Sequence, residues 1–339
     1  MKPQIHALRA AAMALIVCAA IFAHGDKKRD QIQKPIAGPR ATALRVTWLY
    51  ISPDKNSQKV SRVQIGREMV VAEKSNQWLR VYANTDIVEE HTSDQPVFGS
   101  DEVPPPISGW IEGRGIVVEG APNGDAVLMG AAENQEALAS DPRGPANAAQ
   151  SARLLYRRLA EMFPNSPLAA EAAWRAADIL WQVQKSDFSA LPSAKERDPY
   201  MRSQMDEEQL KKVIRNYPHT RQADLADFDL IDNKLCGDWQ GSTKCPEKES
   251  DIYEKYAAEH PESPKAARAL YEAAYRQAVL SDMYAADGND KKQQEAHDHA
   301  RDIASRLKDK FPQSDYTWRA LTVVYKLDQG IPVYGIDRE

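Results

Sequence analysis

Hydrophobic and polar positions follow two different periods along this chain, and the change of period divides it. From about Thr42 to Val118 the apolar residues come in short β-branched and aromatic runs between turn residues: ALRVTWLYI, MVVAE, WLRVYA and GWIEGRGIVV. Runs of this kind predict strands. In the third, Leu79 and Val81 share one face while Trp78, Arg80 and Tyr82 share the other, the two-residue period of a half-buried strand. Several short strands in so small a segment predict a closed or nearly closed barrel. Beyond Pro145 the spacing becomes helical, and it repeats.

The repeat is marked by its punctuation. Four segments, FPNSP, YPHTR, HPESP and FPQSD, place an aromatic or His before Pro164, Pro218, Pro261 and Pro312. Each proline stops a helix, because it lacks an N–H and clashes with the preceding turn. Two residues later Ser166, Thr220, Ser263 and Ser314 offer a side-chain oxygen to the free N–H groups of the next helix. Pro167 and Pro264 stand where a first helical residue is expected, a position that tolerates proline. Eight and five residues ahead of the prolines stand Tyr156 and Leu159, Leu210 and Val213, Tyr253 and Tyr256, Ala304 and Leu307. Eight residues after them stand Ala172, Ala226, Ala269 and Ala320. Bulky residues facing alanine allow two helices to approach closely. The pattern predicts an array of antiparallel helix pairs over residues 146–327, followed by a short tail (328–339).

The remaining segments read differently. Residues 1–25 place Lys2, His6 and Arg9 before an apolar run and end in Ala23-His24-Gly25, the order of a secretory signal. Three fates stay open: cleavage after Gly25, lipidation at Cys18, or retention as an anchor. Residues 26–41 read as a flexible tether. Residues 119–145, rich in Gly, Pro and Ala, read as a linker with one short helix inside it. Within the strand-rich segment, residues 85–107 read as a long acidic loop, a functional flap or a disordered segment, that includes Asp86, Glu89, Glu90, Asp94, Asp101 and Glu102. Cys236 and Cys245 bracket a polar loop. In an exported chain they suit a disulfide, with two free thiols as the alternative.

The strand segments SPDKNSQKV, IGREMVVAE, NQWLRVYAN and SGWIEGRGIVV, taken in order, resemble a bacterial SH3-like domain over residues 42–118, apart from the long loop. The helical region resembles the tetratricopeptide repeat, in the long-helix form found in exported bacterial envelope proteins such as outer-membrane assembly lipoproteins and Tol–Pal-associated factors. Its intervals exceed the usual ~34 residues, and residues 186–203 and 236–246 read as insertions. The two resemblances together imply a multidomain chain, a small all-β barrel followed by an all-α repeat array.

Chemistry changes this picture little. The net charge of −5 gives no basic surface for nucleic acid. No phosphate loop, HExxH or GxSxG string occurs, and no catalytic, cofactor or metal-binding set is expected. His297 and His299 stand two apart, so on a helix they point away from each other. His91, His219 and His260 stand singly. Trp48, Tyr50, Trp78, Tyr82 and Trp110 are the candidate binding surface, in part core and in part a groove for a peptide or a cell-wall stem. Trp174, Trp181, Tyr271, Tyr275 and Trp318 are mainly core of the array. The expected function is a non-enzymatic envelope adaptor, exported to the periplasm. Its array would grip a protein partner while its barrel touches peptidoglycan or a peptide. Membrane attachment is expected only through Cys18 lipidation or a retained signal. The rivals are a lipid-anchored outer-membrane assembly factor and, last, a wall hydrolase or metal-dependent enzyme.

Overall fold

The computed structural model of the protein describes residues 37–86 and 106–333. The expected signal, most of the tether, Cys18, the acidic residues 87–105 with His91, and the last six residues lie outside the described residues. Seven strands come first: β1 (Arg40–Ala43), β2 (Thr47–Tyr50), β3 (Lys59–Val63), β4 (Glu68–Ser75), β5 (Trp78–Ala83), β6 (Ile107–Glu112) and β7 (Ile116–Val118). They form one antiparallel sheet in the order β3-β2-β6-β5-β4-β1-β7. Ala41, Leu49, Val63, Met69, Val81 and Ile111 from the first six strands meet in a single core, with Val118 of β7 against it. The inner faces therefore converge, and the sheet curls about one centre. β1 starts at Arg40, inside the segment expected as tether.

Nine helices follow among the described residues. They are α1 (Gly124–Ser140), α2 (Ala148–Met162), α3 (Ala169–Ser189), α4 (Glu208–Asn216), α5 (Arg221–Asp229), α6 (Lys244–Glu259), α7 (Ala266–Ala286), α8 (Asp290–Lys310) and α9 (Asp315–Asp328). The four corners begin alike. Phe163, Tyr217, His260 and Phe311 end their helices at φ/ψ of −129/57, −129/53, −125/59 and −131/54, each N–H donating to the carbonyl four residues back. Thr220 and Ser314 then accept from the N–H of Ala223 and Tyr316 as N-caps. The Ser-Pro copies differ from expectation. There Ser166 and Ser263 accept from Leu168 and Lys265, and the α-helix begins only at Ala169 and Ala266. An intervening turn bonded from Ala169 to Ser166, and from Ala266 to Ser263, carries the proline instead. All twelve flanking positions are buried, none more than 6% exposed.

Two expected spacers are structural. The linker holds α1, whose Leu128 and Ala132 are fully buried with Leu155, Tyr156 and Leu159 of α2. Small apolar residues between Gly- and Pro-rich ends hid this core face in the composition. The insertions pack on each other: Gly237 N–H donates to the Glu196 carbonyl, and Arg202 donates to that of Leu235. Cys236 and Cys245 are joined by a disulfide, Cα–Cα 6.1 Å. Glu249 accepts from the Cys236 N–H and the Trp239 indole, holding the loop down.

Sheet and array share an interface. Leu44, Ile65 and Val117 enter the α1–α2–α3 core. Gly66, at φ +80, leaves no room for a side chain, since a Cβ would lie 2.6 Å from that of Leu154. At the centre Arg158 of α2, 1% exposed, donates to Glu68 at 2.6 Å, with Asp86 at 3.5 Å and Glu161 at 2.7 Å. Removing one partner of a buried pair strands the other charge. Arg158→Met is therefore expected to cost about 3–5 kcal/mol in urea unfolding. The double variant Arg158→Met/Glu68→Gln should recover part of that loss, and a double as unstable as the single would show that stranded charge is not the cause.

Candidate protein-binding groove

The array leaves a groove of about 460 Å³ where α2, α3 and α4 meet the start of the sheet. Its floor is Ala173, Ala176 and Ala177 on α3, small enough to let a ligand backbone approach. One wall carries Arg153 and Arg157, one turn apart on α2, so both reach the same side. Lys212 of α4 and Arg40 of β1 supply two further cations, against the single carboxylate Glu161. Burial works against the Glu161 carboxylate, but Arg158 and Arg157 outweigh it and hold its pKa below the ordinary range. The groove is thus cationic. A second groove of about 330 Å³, between α6, α7 and α8, has Glu247, Asp251 and Glu295 against Lys292 and His299. Its charge is reversed.

The aromatic residues expected to bind lie on the outer face of the sheet. Tyr50 pairs with Trp110 and Trp110 with Arg80, so the three side chains form a row. Trp48 stands beside them, 36% exposed, with Lys59 and Arg62 over its ring at 4.8 and 5.4 Å. Tyr82 and Trp110 are half-buried. Trp78 departs from the expectation. It is 6% exposed, packed on that face against Tyr50 at 5.6 Å, and offers a ligand little surface.

The histidines separate. His260 sits between Asp224 at 2.8 Å and Asp227 at 3.1 Å, His297 meets Asp328, and His299 meets Glu254. Among the described residues no three His, Cys, Asp or Glu gather as a metal would require. In the array Trp181 is buried, Trp174, Tyr271 and Tyr275 are half-buried, and Trp318 is exposed.

Residues 193–322 match the family model described as tetratricopeptide repeat. The match runs from the segment before α4 into α9. The pair α2–α3 lies outside it, and its leading helix ends at the same backbone angles. No curated protein matches the chain. A solved chain described as "DHF58 filament" aligns over 61% of this chain and 93% of its own at 16% identity, with a TM-score of 0.23. That score is too low to bear on the fold.

The groove residues were missed in the sequence. Arg153 and Arg157 carry a signal, the four-residue spacing that sets two cations on one helix face. Arg40 carries none, because it comes from β1, a segment distant in sequence from the helices.

Carboxylates also gather where α3 meets α5. Asp229 accepts from the Trp174 indole and lies near Asp178 and Asp232. Burial first, and then the Asp178 charge, push its pKa up to about 7. A folded chain keeps this proton between pH 4 and pH 7 while an unfolded one releases it, so stability is lost across that window as pH rises. Above pH 7 the penalty is constant. Asp229→Asn is expected to be neutral near pH 4 and to stabilise by about 2 kcal/mol at pH 8. Denaturant midpoints at the two pH values test this, and an equal effect at both would refute the raised pKa.

Proposed function

We propose that the chain is a non-enzymatic scaffold of the bacterial cell envelope whose repeat array grips a protein partner through the cationic groove between α2 and α4. The observation that carries this reading is the groove itself. It joins an alanine floor to four cations and one carboxylate, which suits an extended segment rich in Asp and Glu. Tetratricopeptide repeats are interaction modules, and a stacked array presents such surfaces by construction. The Cys236–Cys245 disulfide supports an oxidising compartment and so export. In this reading the sheet is a bacterial SH3-like module, and its outer row around Trp48, Tyr50 and Trp110 takes a second ligand, a peptide or peptidoglycan.

The test has two arms. A photo-crosslinking residue at Gln209, on the groove rim, is expected to trap a defined set of proteins in cells. Arg153→Glu/Lys212→Glu should reduce that trapping at least fivefold while the purified variant melts as the parent does. Unchanged products would remove the groove from the function. Purified sacculi should retain the parent chain and lose Trp48→Ala/Trp110→Ala. Equal retention of both would remove peptidoglycan from the reading.

A further inference from the structure

The last helix carries apolar residues on two sides. Its inner face packs Thr317, Ala320, Val323 and Val324 into the array, as a repeat helix should. Its outer face presents Trp318, Leu321 and Tyr325, one helical stripe, at 55%, 39% and 62% exposure. The repeat explains what this stripe corresponds to. Counting from the corner prolines, Tyr325 stands where Ala177, Ile231 and Ala274 stand in the earlier repeats, and those are 4%, 3% and 0% exposed. Leu321 stands where Leu270 is 3% exposed.

The helix pair that follows covers each of these equivalents. Ala177 packs with Leu210 and Val213 of α4. Ile231 packs with Tyr253 and Tyr256 of α6, and Leu270 and Ala274 with Ile303 and Leu307 of α8. At Tyr325 the face of α9 thus continues an interface that the array builds three times over, and at Leu321 one that α7 builds with α8. The described chain does not cover it. After α9 it turns at Gly330, at φ 64, and the Val333 N–H bonds Asp282 of α7.

Charge defines the occupant. Arg319 and Lys326 are exposed on one flank of the stripe, seven residues apart and so two turns along the same side. On the other flank Asp328 is held by Arg301 at 2.7 Å and His297 at 2.9 Å. An antiparallel pairing of two copies through α9 would set the Arg319 and Lys326 flank against itself, a like-charge contact. Head-to-tail stacking of copies has no receiving pair, because the sheet domain and α1 occupy the other end of the array. We propose that the outer face of α9 docks one amphipathic helix of a separate protein, its apolar stripe against Trp318, Leu321 and Tyr325 and an acidic flank facing Arg319 and Lys326. This surface is distinct from the α2–α4 groove and does not rest on it.

The probes are two designed helical peptides with the same leucine stripe, one flanked by Glu and one by Lys, read by fluorescence anisotropy against the full chain. The Glu peptide is expected to bind at least tenfold more tightly than the Lys peptide. Leu321→Asp should abolish that binding with an unchanged circular-dichroism melt, since the side chain is exposed. Arg319→Glu/Lys326→Glu should invert the preference between the peptides. Absence of binding, equal binding of both peptides, or binding indifferent to Leu321→Asp overturns the proposal. Sedimentation that reveals a dimer lost in Leu321→Asp overturns it too, in favour of a second copy.

Discussion

The arrangement of the molecule depends on one buried contact, the guanidinium of Arg158 held among the carboxylates of Glu68, Asp86 and Glu161. Its role is registration more than net stability. Taking these charges out of water consumes most of what their attraction returns, and the apolar contacts of Leu44, Ile65 and Val117 with the first helices supply the adhesion. What the charges add is selectivity. Any other seating of the sheet on α2 would part Arg158 from Glu68 and Asp86, leaving it Glu161 of its own helix and leaving Asp86 only charges of the sheet side such as Arg67. The bare backbone of Gly66 against Leu154 adds a steric condition to the electrostatic one. Sheet and helices are therefore locked in one orientation.

That lock gives the groove its fourth cation. Arg40 enters the groove from β1, and it does so because Glu68 and Glu161 lie within 3.6 and 3.8 Å of it. The same carboxylates thus serve the buried Arg158 and the exposed Arg40. The consequence is coupling: a change that frees the sheet from α2 also removes a wall of the groove. Within the array the coupling is weaker, since each helix pair meets mainly its neighbours. The sheet domain closes the first end of the array as a capping repeat would.

The sequence made some of this legible and not the rest, for identifiable reasons. The corner motifs were readable because proline and a hydroxyl side chain act on their own backbone within a few residues. Their four copies end the preceding helix at the same angles. The flanking positions were readable because burial follows the helical period, and all twelve are in the core. What depends on contacts between distant segments was not readable. Arg158 looks like any helix-surface arginine until Glu68 and Asp86 arrive. Trp78 and Trp48 both stand on strands of the outer face, yet Trp78 is 6% exposed and packs against Tyr50 while Trp48 stays 36% exposed beside Lys59 and Arg62. The packing of α1 was not readable because its buried Leu128 and Ala132 stand in an Ala-rich segment whose composition resembles that of a spacer.

The repeat also sets what is unusual about the end of the array. A helix pair in such a stack buries its leading face on the previous pair and its trailing face under the next, so a terminal helix that faces only water should be polar outside. α9 breaks this rule with an aromatic, a leucine and a tyrosine on one stripe. Exposed apolar residues scattered singly are ordinary, but a stripe whose three positions are all buried in the preceding repeat, at Ala267, Leu270 and Ala274, is not. The corner before it is locally ordinary: the helix-ending φ/ψ of the other three, the N-cap that Thr220 also makes, and the same buried alanine. Local folding of this last pair is therefore normal. The departure is confined to the face that the stacking geometry reserves for one more helix.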